Sequence, residues 1–286
     1  MDPISFLSEP LGYAFIQRGM LALILVGGIS AVVGCFVVVR GMSFFGDALA
    51  HSILPGVAIS YTVSGGYVAT NLFLGGLGAG IVSALVIAWL TRKVEVKEDS
   101  AIAIVYVTFF ALGIAIVSTQ DSYAVDLSHI LFGSINGISQ SDLQIVAAMG
   151  VVVLAIIALL YKEFQIINFD LGLAHSLRLP VEALRILLLI LIALTIVASL
   201  QAVGIALMLA LLTTPAVTAR LLVKRLHHMI GIASLLGIVS GVVGFYASYY
   251  LDIPSGACIV LTTSVIFGLV FLLQSGWSRV RDRDQH

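Results

Sequence analysis

Apolar residues in this chain come in long unbroken runs. They follow neither the two-residue alternation of a half-buried strand nor the single stripe of a helix lying on a soluble core. A helix needs about 20 such residues to cross the hydrocarbon of a bilayer. Nine segments meet or approach that length: Tyr13–Val39, Phe44–Ser64, Tyr67–Leu90, Ser100–Ser118, Ser141–Tyr161, Glu182–Ala198, Gln201–Ala219, Met229–Tyr250 and Gly256–Gln274. The second is the weakest, because it holds Asp47, His51 and Pro55. The sixth and seventh form one apolar stretch broken only around Leu200 to Gly204, so the same pattern also admits eight spans. The expected fold class is all-α, a polytopic membrane protein whose residues 1–286 form a single transmembrane domain.

The basic residues give the chain a direction, since short cytoplasmic loops retain Lys and Arg. With nine spans, alternate connections hold Arg40, then Arg92, Lys93 and Lys97, then Lys162, Arg178 and Arg185. The same side receives Arg220, Lys224 and Arg225, and finally Arg279, Arg281 and Arg283 of the tail. Only Arg18 falls on the other side. This asymmetry places the N-terminus outside and the C-terminus in the cytoplasm. The opening MDPISFLSEP has no basic region ahead of its apolar run, so the first span is expected to be retained rather than cleaved.

Composition confirms the solvent. Sixty per cent of residues are hydrophobic and 10% are charged, whereas a soluble domain is about a quarter charged. So little charge cannot coat a water-facing surface, and lipid is the partner of most of the chain. The net charge of −1 gives no reason to invoke nucleic acid. Cys35 and Cys258 sit in apolar runs and read as small buried hydrophobes, since two isolated thiols make neither a disulfide framework nor a zinc knuckle. Glycine-rich stretches such as Gly75-Gly76-Leu77-Gly78-Ala79-Gly80 read as places where helices approach closely.

An ionisable side chain in the hydrocarbon region costs roughly 2.5–3.5 kcal/mol on insertion, so its presence there is a functional hypothesis. Asp47 and His51 are the two such residues inside a span, spaced i, i+4 on GDALAHS. On a helix that spacing puts both on one face. A carboxylate and an imidazole supply half of a four-ligand site for a divalent cation, and a second subunit across a twofold axis would complete it. The structural alternative is a hydrogen-bonded pair that only knits helices together. The small neighbours Gly46, Ala48, Ala50 and Ser52, and the backbone groups freed by Pro55, favour a cavity over a lipid-facing site.

Two connections are longer than a turn. The outer one, Thr119 to Gln140, carries Asp126 and His129 at i, i+3. These, with Asp252 in a later outer connection, are candidates for a gate or for a plain solvated loop. The inner one, residues 162–180, reads as a short cytoplasmic helix capped by Asp170, with Leu171, Ala174 and Leu177 on one face and Pro180 ending it. Such a helix serves equally as a docking element or as a helix lying on the lipid surface. His175, His227, His228 and His286 fall in cytoplasmic or terminal segments and gain no ligand role. No GxxxxGK[ST] phosphate loop, HExxH or GxSxG occurs, so neither ATP binding through that loop nor intramembrane proteolysis or esterolysis has its residues.

Five stretches together resemble one family. RGMSFFGDALAHSILPGVAIS (Arg40 to Ser60), DLSHILFGSI (Asp126 to Ile135), INFDLGLAHSLRL (Ile167 to Leu179), VGIALMLALLTTPAVTARLL (Val203 to Leu222) and YYLDIPSGACIVL (Tyr249 to Leu261) are similar, in this order, to the permeases of bacterial zinc/manganese/iron ABC importers. The resemblance implies a type II importer-like fold in the bacterial inner membrane and a homodimer. It also implies two cytoplasmic ATP-binding subunits docked on residues 162–180 and an extracytoplasmic metal-binding protein. No permanently bound cofactor is implied; Mn2+ or Zn2+, or else ferrous iron, would be cargo passing Asp47 and His51. The family usually has a branched apolar residue before the proline of LLxxPA, where this chain has Thr213 and Thr214. An ion-coupled secondary metal transporter would also use intramembrane Asp and His, but it would be built from inverted repeats, and none is found in this sequence.

Overall fold

The computed structural model describes residues 12–66, 68–93, 97–119 and 135–283. Every regular element among them is helical. In chain order they are α1 (Ala14–Val39), α2 (Phe45–Ser52), α3 (Leu54–Ser64), α4 (Ala69–Lys93) and α5 (Glu98–Val117). A 3₁₀ turn (Ile135–Gly137) precedes α6 (Gln140–Leu159), α7 (Tyr161–Phe169), α8 (Leu171–Ser176), α9 (Val181–Val203), α10 (Ile205–Leu222), α11 (Leu226–Leu251) and α12 (Ser255–Arg283).

Among the described residues, eight helices are long and apolar enough to cross a membrane. The stretch between Gln201 and Gly204 does not merge two of them. Gly204 takes φ +79° and ψ 169°, a conformation that stops α9 and lets α10 start one residue later. The missing ninth is the second predicted segment, which forms α2 and α3 instead of one long helix. Pro55 has no N–H to return to the carbonyl of His51, and that carbonyl accepts from Ile53 instead. The helix therefore breaks at Ile53 and restarts with proline in its first turn.

Two contacts count the crossings. Arg220, near the end of α10, donates from Nη1 to the carbonyl oxygen of Val38 at the end of α1, 2.9 Å away. Arg185, near the start of α9, donates to Thr91 near the end of α4. Because α9 and α10 form a hairpin, the two contacts put the ends of α1 and α4 on one face, so α2 and α3 together traverse the bundle. If that pair turned back on the side it started from, the ends of α1 and α4 would lie on opposite faces. The described residues thus make nine crossings, eight by single helices and one by the broken pair.

The core is built around α1 and α9, which are apolar on all sides and largely buried, as such helices must be. The outer helices keep an apolar stripe open. On α12 it runs Leu261, Val265, Leu269 and Leu272, every third or fourth residue, each more than half exposed. Lipid solvates such stripes as readily as protein does, so helix association here rests on close packing. Gly34 of α1 meets the carbonyl of Leu212 on α10 with no space for a side chain. Gly75 of α4 and Gly56 of α3 face each other's carbonyls in the same way.

Candidate metal-conducting site

Helix α2 is eight residues long and is seated by its apolar face. Phe45 and Leu49 are buried, and Gly46 lets Leu212 and Leu209 of α10 approach so closely that an added Cβ would stand 2.8 and 3.1 Å from their Cδ2 atoms. The opposite face carries Phe44, Asp47 and His51 at intervals of three and four residues. Exposure falls along it, from 79% at Phe44 to 41% and 25% for the Asp47 and His51 side chains. The face is therefore open at its lip and enclosed at its inner end.

His51 Nε2 stands 3.6 Å from Asp47 Oδ1. That is too long for a good hydrogen bond. Two donors bound at about 2.1 Å to one ion at the tetrahedral angle stand about 3.4 Å apart, so the pair is already close to the separation a shared cation requires. The other ring nitrogen, Nδ1, is buried without a hydrogen-bond partner. Aromatic rings set the orientation of the imidazole instead: Tyr106 at 5.6 Å and Phe110 at 5.4 Å between centroids, the latter edge-on, with the two rings stacked on each other one turn apart on α5. Among the described residues no third His, Cys, Asp or Glu joins the pair.

The nine-span pattern puts Asp47 near the cytoplasmic end of its span. The structure sets the pair deeper. Gly46 is level with Leu212, ten residues or about 15 Å from the end of α10, and His51 is level with the middle of the 20-residue α5. The connection from Arg40 to Phe44 dips into the bundle to reach that depth; Met42 is 2% exposed and Arg40 Nη1 is buried.

The other candidates are placed apart from this pair. Asp126 and His129 lie outside the described residues. Asp252 ends α11 in the left-handed region (φ +56°), beside a cavity of about 460 Å³ lined by Phe15, Ile16, Phe245 and Tyr249. That cavity is at the end of the bundle where α1 starts. Asp170 caps α8, its Oδ1 accepting from the N–H of Leu173 at 2.9 Å. Ala174 is fully buried beneath α8, while Leu171 and Leu177 are exposed, as is Leu173. Of the three residues expected to share a face, the small alanine makes the contact with the fold and the leucines on either side stay exposed. Thr213 donates to the Leu209 carbonyl at 2.5 Å, and the Thr214 carbonyl accepts from Thr218. Both bonds lie within α10 and brace it around Pro215.

Comparison with known proteins follows the same outline. Residues 12–274 match the profile of the ABC 3 transport family. The chain is 42% identical over 267 residues to the manganese transport system membrane protein MntC of Listeria monocytogenes, covering 93% of each. It is 36% identical to the manganese import system permease protein ScaB of Streptococcus gordonii, over 91% of this chain and 92% of that one. To the chelated iron transport system membrane protein YfeD of Yersinia pestis it is 36% identical, over 98% and 92%. The solved structure of PsaBC from Streptococcus pneumoniae, in complex with a Fab, superposes with a TM-score of 0.81 at 35% identity, over 94% of this chain and 95% of that one. An inward-facing putative metal-chelate ABC transporter shares the fold at 16% identity, with a TM-score of 0.69 over 95% and 89%.

Proposed function

The chain belongs to the ABC 3 transport family and is a multi-pass membrane permease of an ABC importer, and from that premise we propose that its cargo is a divalent transition-metal ion, manganese first. The observation that carries this reading is the Asp47–His51 pair, with two donors 3.6 Å apart at mid-depth on an open helix face. Carboxylate oxygen suits manganese and imidazole suits zinc, so the donor set accepts either, and ferrous iron between them. Manganese takes precedence because relatives 41–42% identical over 93% of the chain are named for it.

Two donors do not hold an ion against water. A second copy of the chain meeting this one along the Phe44, Asp47 and His51 face would bring the set to two carboxylates and two imidazoles. The permease has no phosphate loop, so two separate cytoplasmic ATP-binding subunits drive it, docking on the segment from α7 to Pro180 through Asp170, Leu171, Ala174 and Leu177. An extracytoplasmic protein delivers the ion to the opposite end, near Asp252. The N-terminus is then outside and the C-terminus cytoplasmic.

Transport follows by alternating access. Closure of the ATP-binding subunits moves the docking segment, the bundle opens outward to accept the ion, the Asp47/His51 set holds it while both ends are shut, and hydrolysis releases it inward. The test is metal uptake by cells carrying the whole transporter, with wild type compared against Asp47→Ala and His51→Ala under manganese, zinc or iron limitation. Loss of manganese uptake in both variants at normal membrane abundance is expected; uptake surviving both changes would overturn the site.

A further inference from the structure

Three helix ends on the side of the bundle where α1 ends are joined by one part-buried polar cluster that the metal pair does not use. Arg185, five residues past Pro180, donates from Nη2 to Glu98 Oε1 at 2.5 Å and to Thr91 Oγ1 at 3.0 Å. Glu98 opens α5 and Thr91 lies near the end of α4. The side chains of Arg185 and Glu98 are 16% and 28% exposed, so solvent screens them little. Arg40, at the end of α1, lies within electrostatic reach of Glu98, Arg185 and Glu182. Two donors here have no partner: Nη1 of Arg40 and Nε of Arg185.

A pair needed only to hold helices together would do as well with apolar residues of the same volume; a buried ion pair is better suited to choosing between arrangements. The surroundings show which arrangements matter. Arg185 sits on the helix that leaves the docking segment. Eight residues after Glu98, about 12 Å along a continuous helix, α5 carries Tyr106, which with Phe110 orients His51. Seven residues after Arg40 comes Asp47. The carboxylate of Glu98 is thus paired with one cation tied to the docking segment and lies in the field of a second in the lead-in of the metal pair, and each cation has a buried N–H to spare.

We propose that Glu98 is a positioning residue that couples the docking segment to the metal pair, passing its carboxylate from Arg185 toward Arg40 as α9 shifts. In the present arrangement it holds α5 to α9. Once it is drawn to Arg40, α5 follows α1 and α2, and the rings beside His51 move with it. This coupling rests on the transport reading above, and its failure can be told apart from the failure of that reading.

The test uses the assembled transporter with its ATP-binding subunits. Glu98→Gln keeps the shape and removes the charge. Manganese uptake is expected to fall about fivefold or more, the scale of an ordinary coupling energy. ATP hydrolysis should continue, and equilibrium binding of Mn2+ to the purified complex should change by less than about twofold. The double variant Glu98→Arg with Arg185→Glu restores the ion pair between α5 and α9 but moves the carboxylate off α5. It should recover membrane abundance without recovering uptake, and Glu98→Asp should recover part of it. Three results would overturn the proposal: normal uptake in Glu98→Gln, full uptake in the swapped pair, or uptake, hydrolysis and binding falling together in proportion to the amount of folded protein. Normal uptake in Glu98→Gln beside abolished uptake in Asp47→Ala would remove the coupling and leave the metal site standing.

Discussion

Arg220 reaches across from the end of α10 to donate to the backbone carbonyl of Val38 at the end of α1, so these two chain positions share one face of the bundle. An odd number of crossings separates the start of α1 from the end of α10, and α12 brings the count to nine. Residue 13 and the docking segment must then lie on opposite sides of the membrane. Both native cysteines are buried, which leaves a clean background for labelling. With a membrane-impermeant thiol reagent on intact spheroplasts, Tyr13→Cys is expected to label and Arg178→Cys to stay protected until the membrane is opened. The reverse pattern would invert the orientation, and labelling of both from one side would break the nine-crossing count.

Asp47→Asn tests charge separately from shape at the proposed metal pair. The amide keeps the volume but is a far poorer donor to a hard cation. Changing even an outer partner of a metal ligand typically lowers affinity about 10–100-fold, so loss of a direct donor should lower manganese binding by at least about tenfold. Radioactive manganese binding to purified protein measures it, and unchanged binding would remove Asp47 from the site.

The rings of Tyr106 and Phe110 stand against the imidazole of His51. Replacing Phe110 by Leu keeps the site apolar but removes the edge that meets the imidazole. Half-saturation for manganese should rise by a few fold to about tenfold, the low end of an outer-partner effect, with the maximal rate little changed. A fall in maximal rate at unchanged half-saturation would assign the ring to the moving parts instead.

Gly34→Ala places a methyl group against the carbonyl of Leu212, where backbone cannot yield as a side-chain tip can. Overpacking of this kind costs typically about 1–3 kcal/mol. Thermal unfolding in detergent should show a clear drop in midpoint. Gly78→Ala, where an added Cβ meets nothing within 4 Å, should be neutral. Equal effects of the two would show that glycine content, not the α1–α10 contact, sets stability.

Asp170→Ala removes the cap of α8 and should cost about 1 kcal/mol, with Asp170→Ser recovering most of it. Uptake should fall with fraying of the docking helix and return in the serine variant. A loss that serine does not repair would mean that the carboxylate itself meets the partner.

The spans were legible because a long apolar run has few other uses, and the i, i+4 spacing of Asp47 and His51 was legible because it is local. What escaped was everything set by contacts distant in sequence. Pro55 announced a break, but the dip of residues 40–44 that lowers α2 to mid-depth shows only in its packing, with Met42 buried and Gly46 against Leu212 of α10. The rings beside His51 are 55 and 59 residues away and read as ordinary aromatic positions of a span. Arg185 and Glu98 were legible only as charges at span ends; their pairing across 87 residues has no signature in either segment. In α8 the periodicity found the buried Ala174, but it could not tell that the leucines beside it would point away from the fold.

The half-set of donors on the open face of α2 also has a genetic consequence. If the ion is held only where two such faces meet, an impaired subunit is not a silent passenger; it spoils every partner it joins. Cells carrying equal amounts of wild-type chain and the Asp47→Ala chain would then assemble only about a quarter of their pairs wholly from intact copies. The altered allele would act as a dominant poison on metal nutrition, in proportion to its dose.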